Sequence, residues 1–239
     1  MRLLTHICCG PCLLMPDRFF REQGIDATAI FYNPNIHPFS EHERRLEVAA
    51  DFCEKNNIAL TAIPYAPVNY FRAIAFNETK LRRLSKYSAP AANPVWRPPA
   101  ALRLLRVPTG TRRPRALPDD SPSEFSLSSG VFRQPPDRCR LCYELRLNLT
   151  AEKAKREGFD AFTTSLLVSP YQLHDDLRIV GEAIAARAGV NFFYQDWRPF
   201  FGASVDLSRR LGMYRQNYCG CIFSEQERIL EKRAAKDRR

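Results

Sequence analysis

From residue 2 to residue 84 the chain alternates short apolar runs with amphipathic stretches. Arg2 to Ile7 reads as a buried strand, and residues 11–23 as a helix opened by Pro11 and closed by Gly24. A second strand over 26–32 enters the loop Asn33-Pro34-Asn35-Ile36-His37-Pro38, which its two prolines break. Ser40 with Glu43 three residues on has the form of a capping box, starting a helix to Asn56. Residues 58–63 read as a third strand and 68–84 as a third helix. Such alternation is buried most simply by a parallel sheet covered by helices on both faces, so the expected class is α/β.

After Arg138 the rhythm returns: a helix over 139–157, a strand over 160–165, a helix over 171–188 stopped by Gly189 and a strand over 190–194. Residues 200–211 read as helical, and Ser224 with Glu227 opens a charged C-terminal helix. The second half repeats the logic of the first, so a single domain over 1–239 is expected. Between the halves, residues 87–136 hold ten of the 18 prolines and show neither period. Residues 86–136 are therefore expected to be a disordered or loosely packed insertion, because such a composition buries too little apolar surface to offset chain entropy.

The net charge of +10 is unevenly placed. Residues 86–136 carry eight Lys/Arg against three Asp/Glu, and residues 226–239 six against three. Basic segments of this kind serve solubility or bind phosphate, and the sum alone does not choose. No apolar run approaches membrane-spanning length, and no signal-peptide stretch develops before Cys8. A cytoplasmic protein with no membrane partner is the expectation.

In a reducing compartment clustered thiols bind metal or do redox work more often than they form a disulfide framework. Of eight cysteines, Cys53 stands alone on an amphipathic stretch and reads as a core residue. The other seven form three groups: Cys8-Cys9-Gly10-Pro11-Cys12, Cys139-Arg140-Leu141-Cys142 and Cys219-Gly220-Cys221. The first two stand at predicted helix starts, where the N-terminal dipole favours thiolate. Turns leaving the strands of an α/β sheet converge on one edge, so groups distant in sequence can meet at one site. Thiolates suit zinc, copper(I) or iron-sulfur clusters. Adjacent cysteines and a one-residue spacer are unusual for a zinc ribbon, and adjacent cysteines can reach different corners of a cubane or a cluster and a neighbouring metal. Cys219 and Cys221 read equally as a ligand pair or as a strained, labile thiol-disulfide couple.

Several stretches together resemble the epoxyqueuosine reductases of the QueH type. They are His6-Ile7-Cys8-Cys9-Gly10-Pro11-Cys12, residues 31–38, Arg138-Cys139-Arg140-Leu141-Cys142, residues 162–166 with Ser169-Pro170, and Tyr214-Arg215-Gln216-Asn217-Tyr218-Cys219-Gly220-Cys221. The resemblance spans most of the chain outside the insertion, and the joint order of the motifs is specific. It implies a Rossmann-like fold similar to adenine-nucleotide α-hydrolases, with cysteines where those relatives bind phosphate. No Walker motif or comparable phosphate loop is present, so ATP is not expected.

The resemblance further implies reduction of the epoxide of epoxyqueuosine to the alkene of queuosine, at the wobble position of tRNA, with electrons from a donor the sequence does not identify. By it, a four-iron, four-sulfur (4Fe-4S) cluster falls to Cys8, Cys9, Cys139 and Cys142. Cys12 becomes a further candidate ligand, since this position varies to acidic residues in the family, and an adjacent iron is the companion metal. Cys219 and Cys221 take the redox-active or second-metal role. His37, Tyr214 or Tyr218 would supply a proton; Asn33, Asn35 and Gln216 would position the cyclopentane diol. Arg138, Arg140 and Arg215 are candidate phosphate contacts, a salt bridge being the alternative for each. His6 would orient the centre, and His42 and His174 read as surface or capping residues. The chain departs from the family's pattern at the proline-rich segment. Two other readings are a non-catalytic zinc-thiolate module that binds nucleic acid and a thiol-disulfide oxidoreductase.

Overall fold

The structure is a computed structural model and describes residues 1–75 and 136–237. Five parallel strands make one sheet in the order β3-β2-β1-β4-β5. They are β1 (Arg2–Ile7), β2 (Asp26–Phe31), β3 (Leu60–Ala62), β4 (Ala161–Thr164) and β5 (Asn191–Phe192). The helices among the described residues are α1 (Leu14–Glu22), α2 (Phe39–Lys55), α3 (Pro67–Ile74), α4 (Asp137–Arg156), α5 (His174–Ala188), α6 (Phe201–Arg210) and α7 (Ile222–Asp237). The expected α/β, Rossmann-like class is the observed one.

β1 is the central strand. It pairs with β2 from Arg2↔Asp26 to Ile7↔Phe31 and with β4 from Leu3↔Ala161 to His6↔Thr164. The chain builds outward through β2 and β3, then returns across β1 to build β4 and β5 on the other side. The strand order therefore reverses between β1 and β4, and the crevice beyond their carboxyl ends is where an α/β sheet collects its ligands. Cys8 follows β1 and Ser165 follows β4, with Sγ and Oγ 3.9 Å apart.

Alternation within β2 shows why both faces are covered. Ile30 joins a core with Leu147 and Ala151 of α4, whereas Ala29 and Phe31 join another with Ala49, Phe52 and Cys53 of α2. Cys53 is a core residue, as expected. Phe19, Phe20, Phe193 and Trp197 pack edge-on or tilted beneath the first core, which fixes α1 against the segment after β5.

Several local expectations are corrected. Ser40 is not a cap: α2 begins at Phe39, after Pro38, with no side-chain cap bond. Ser224 lies inside α7, and its hydroxyl donates to the Cys221 carbonyl at 2.8 Å. The third helix is interrupted after Ile74, where Ala75 takes an extended ψ of 144°, and the rest of the expected stretch, 76–84, lies outside the described residues. His42 and His174 are buried rather than superficial, at 3% and 5% exposure. His42 packs against Tyr65 with ring centroids 4.4 Å apart, and His174 Nε2 lies 3.5 Å from Asp196 Oδ1. The expected loose insertion over 86–136 falls, apart from Pro136, outside the described residues. Among the described residues no helix is long and apolar enough to cross a membrane.

Candidate metal centre

The cysteines occupy the carboxyl edge of β1 and the helix starts around it. Cys8 and Cys9 leave β1 directly, and Cys12 sits in the turn that becomes α1. Gly10 makes this turn possible: a Cβ there would meet the Val48 carbonyl oxygen and Met213 Cε, each at 2.8 Å. The sulfurs of Cys8, Cys9 and Cys12 all lie within 4.8 Å of one another. Cys9 Sγ is 2.8 Å from Cys12 Sγ, far beyond a disulfide bond, and all eight cysteines are free. Three thiols pointing at one small volume can chelate a soft metal.

The other four thiols form a second grouping. Cys139 and Cys142 stand on the first turn and a half of α4, and Cys142 and Cys221 share a small core with Tyr70, Ile74 and Leu141. Cys221 is buried and precedes α7, where the Ser224 backbone N–H donates to its sulfur at 3.4 Å. Cys219 is exposed. Between them, Gly220 adopts φ +122°, open to glycine, and a Cβ there would lie 2.9 Å from Ile36 Cγ1. The Gly220 carbonyl accepts from the His37 backbone N–H at 2.8 Å, tying this loop to the one after β2.

Electrostatics divides each grouping into one anion and its donors. Hydrogen bonds from Cys12 and Cys9 hold Cys8 well below the ordinary thiol range. Burial pushes the Cys9 thiol up to about 12, and the bonds to Cys8 and Cys9 raise Cys12. In the second grouping, the hydrogen bond from Cys219, helped by Ser224, lowers Cys221 to about 4, and Cys219 rises in consequence. Burial pushes Cys139 up to about 12 and Cys142 in the same direction. The favoured thiolates are thus Cys8 at the end of β1 and Cys221 at a helix N-terminus.

Beside Arg138, 2% exposed and in electrostatic range of Cys221 and Cys139, two more buried guanidiniums complete the centre, and the sequence reading missed both. Arg45 of α2 is 1% exposed and pairs with Glu41 at 2.7 Å. Its other nitrogens donate to the carbonyls of Cys219 and Tyr218, and it stands in electrostatic range of Cys9 and Cys8. Arg146, one turn after Cys142 on α4, is 3% exposed and donates to the Cys142 carbonyl at 3.2 Å. No ion pair to a carboxylate is found for it among the described residues; its electrostatic partners are Cys142, Cys219, Cys8 and Tyr143. A buried cation is costly unless anions face it, and here the anions on offer are thiolates of both groupings. The i, i+4 spacing from Cys142 to Arg146 was the legible signal.

The remaining expected site residues surround the thiols in different roles. Asn33 donates through Nδ2 to the Ile7 carbonyl at 2.8 Å, the role of a turn residue, while its Oδ1 has no hydrogen-bond partner among the described residues. Asn35 is buried, with neither Oδ1 nor Nδ2 hydrogen-bonded among the described residues. Gln216 donates from Nε2 to Cys9 Sγ at 3.1 Å, and its Oε1 has no hydrogen-bond partner among the described residues. Arg215 is half-buried in the same loop. His37 has ring nitrogens without a hydrogen-bond partner among the described residues and packs against Phe71 at 5.0 Å, and burial lowers its pKa. Tyr218 donates to the His37 carbonyl at 2.5 Å, and Tyr214 to Glu41 Oε2 at 2.6 Å. His6 bridges Thr164 Oγ1 at 2.9 Å and the Tyr32 carbonyl at 3.2 Å. Arg138 and Arg140 are engaged in salt bridges, to Glu227 and to Asp176, both at 2.7 Å.

Comparison with known proteins gives a consistent result. The sequence profile of the family described as "Epoxyqueuosine reductase QueH" matches residues 3–86 and 117–227. A protein of that name from Dehalococcoides mccartyi is 30% identical over 229 residues, covering 95% of this chain and 94% of its own. One from Thermotoga maritima is 29% identical, covering 95% and 91%, and one from Acinetobacter baylyi 26%, covering 93% and 80%.

Proposed function

Because the chain belongs to the QueH family, we propose that it reduces the epoxide of epoxyqueuosine to the alkene of queuosine in tRNA, with an iron-sulfur cluster held by its cysteines. The observation that carries the reading is that thiols from three distant stretches, Cys8, Cys142 and Cys219, stand in electrostatic range of the buried Arg146, which has no carboxylate partner among the described residues. The chemistry of the donor set fits such a cluster, which would have to bridge the two thiol groupings, Cys8 and Cys9 on one side and Cys139 and Cys142 on the other. Thiolates are its usual ligands, a bound metal replaces the S–H protons that burial otherwise retains, and the two guanidiniums offset the added negative charge. Cys8, Cys9, Cys139 and Cys142 would hold it. Cys12, close to Cys8 and Cys9, is the ligand for an adjacent iron, and Cys219 and Cys221 form a dithiol pair.

The bound centre supplies single electrons, two per epoxide, and a Lewis-acidic site for the leaving oxygen. Two protons must also arrive for that oxygen to depart as water. His37 is the candidate relay for one of them: its ring nitrogens lack hydrogen-bond partners among the described residues, and burial lowers its pKa, so the ring rests neutral and passes a proton on rather than storing one. Tyr218 is held to the His37 carbonyl and burial raises its pKa, so it positions the loop bearing His37. Asn35 and the oxygens of Asn33 and Gln216, without hydrogen-bond partners among the described residues, are assigned to the diol, and Arg215 is the candidate for a phosphate contact. The wobble base lies in a single-stranded loop and can be extruded to such a crevice without opening a duplex.

The test is nucleoside analysis of tRNA carrying epoxyqueuosine after anaerobic incubation with reconstituted protein and dithionite. Queuosine should replace epoxyqueuosine. Unchanged epoxyqueuosine with fully loaded protein overturns the assignment.

A further inference from the structure

α7 leaves the thiol centre directly after Cys221, and its first turn and a half is tied to the body by Phe223, Ser224 and Glu227. Phe223 packs beside Cys221 under the Arg138 guanidinium, 4.7 Å from the ring, and Glu227 bonds Arg138. From residue 226 to residue 236 every position is exposed. An isolated helix of three turns is marginal in water, so a segment like this gains from a surface to lie on. The QueH profile ends at residue 227.

The charges on this stretch decide what that surface is. Its cations are Arg228, Lys232, Arg233 and Lys236, and its carboxylates Glu227 and Glu231. Both carboxylates are engaged, Glu227 by Arg138 and Glu231 by Arg228 at 3.0 Å. Lys232, Arg233 and Lys236 are related by i+3 and i+4 spacings, so they share one stripe. Lys232 and Lys236 stand about 6 Å apart along the axis, and Lys236 lies about 22 Å from Cys221 in helical rise. Ile229 and Leu230, each 45% exposed, are the exposed large apolar residues of this stretch, too few for the apolar core of a protein interface.

We propose that α7 is a backbone clamp for the RNA substrate, with Lys232, Arg233 and Lys236 contacting phosphates on nucleotides that flank the base held at the thiols. This rests on the tRNA reading above. The contacts are electrostatic and carry no sequence preference, so they add affinity and orientation rather than identity.

The test compares the full-length, metal-loaded protein with its K232Q/R233Q/K236Q variant for binding of unmodified tRNA, across roughly 50–200 mM salt. The plot of log affinity against log salt should lose about 2–3 from its slope in the variant, as three phosphate contacts predict, with unchanged iron content. An R233K variant should keep the wild-type slope. Equal slopes in wild type and triple variant overturn the clamp while leaving the reductase reading intact. Tight, salt-dependent wild-type binding without epoxide reduction would instead sink the reductase reading and spare the clamp. Loss of a dimer in sedimentation, with RNA binding unchanged, would make α7 a self-association helix and also overturn the proposal.

Discussion

Arg146 shows how one residue records chemistry the cysteines only imply. A guanidinium 3% exposed, bonded to the Cys142 carbonyl and facing thiols, with no carboxylate partner among the described residues, is stabilised when some of those thiols are anionic. Replacing it with Gln should leave the liganded thiolates uncompensated. Metal affinity is expected to fall about 10- to 100-fold, the range for residues that support ligands from behind. A competition titration with a chelator reads this directly, and unchanged iron retention in Arg146→Gln would show that the charge plays no part. The sequence made the cysteine groups legible because their spacing is covalent. It hid Arg45 and Arg146 because a buried arginine is written like a surface one; only packing of α2 and α4 against the sheet brings them to the sulfurs.

Elements place these side chains, and two of them offer tests away from the sulfurs. The β1-to-α1 turn has no room at Gly10, where one obstacle is the backbone oxygen of Val48. Gly10→Ala should cost roughly 1–3 kcal/mol in chemical denaturation, and the displaced turn should also lower metal loading. A second test lies at the start of α5, where burial lowers the pKa of His174 below its unfolded value of 6.5. Above 6.5 neither state binds the proton, so the fold carries no penalty. Below it the unfolded chain binds the proton first, and stability is lost until the folded pKa is reached. Melting temperatures of metal-free protein should therefore fall between pH 7 and pH 5, less steeply in His174→Gln. An identical decline in the variant would assign the loss to other groups. The histidine was misjudged from sequence because its helix was expected to begin at Tyr171, putting His174 inside an exposed turn. The observed start at His174 turns the ring inward toward Tyr194 and the Leu167 carbonyl.

At the scale of the molecule, strand order does what no local pattern could. Alternating apolar and amphipathic stretches made the α/β class and most elements readable, with boundaries a few residues off, as where 190–194 shrinks to Asn191–Phe192. Alternation does not state that β1 is central, or that the order reverses between β1 and β4. That topology brings Cys8, Cys9 and Cys12, Cys139 and Cys142, and the Cys219–Cys221 loop to one edge. It also groups them as Cys8, Cys9 and Cys12 on one side and Cys139, Cys142, Cys219 and Cys221 on the other, a division invisible in spacing. Whether these groups jointly hold iron and sulfide is the central claim, and one measurement addresses it most directly. Protein purified without oxygen should be analysed for iron, zinc and acid-labile sulfide, with EPR spectra before and after dithionite. The account predicts brown protein with at least about four irons and four sulfides per chain and a cluster signal on reduction. Colourless protein that holds zinc and no sulfide after anaerobic reconstitution would contradict it.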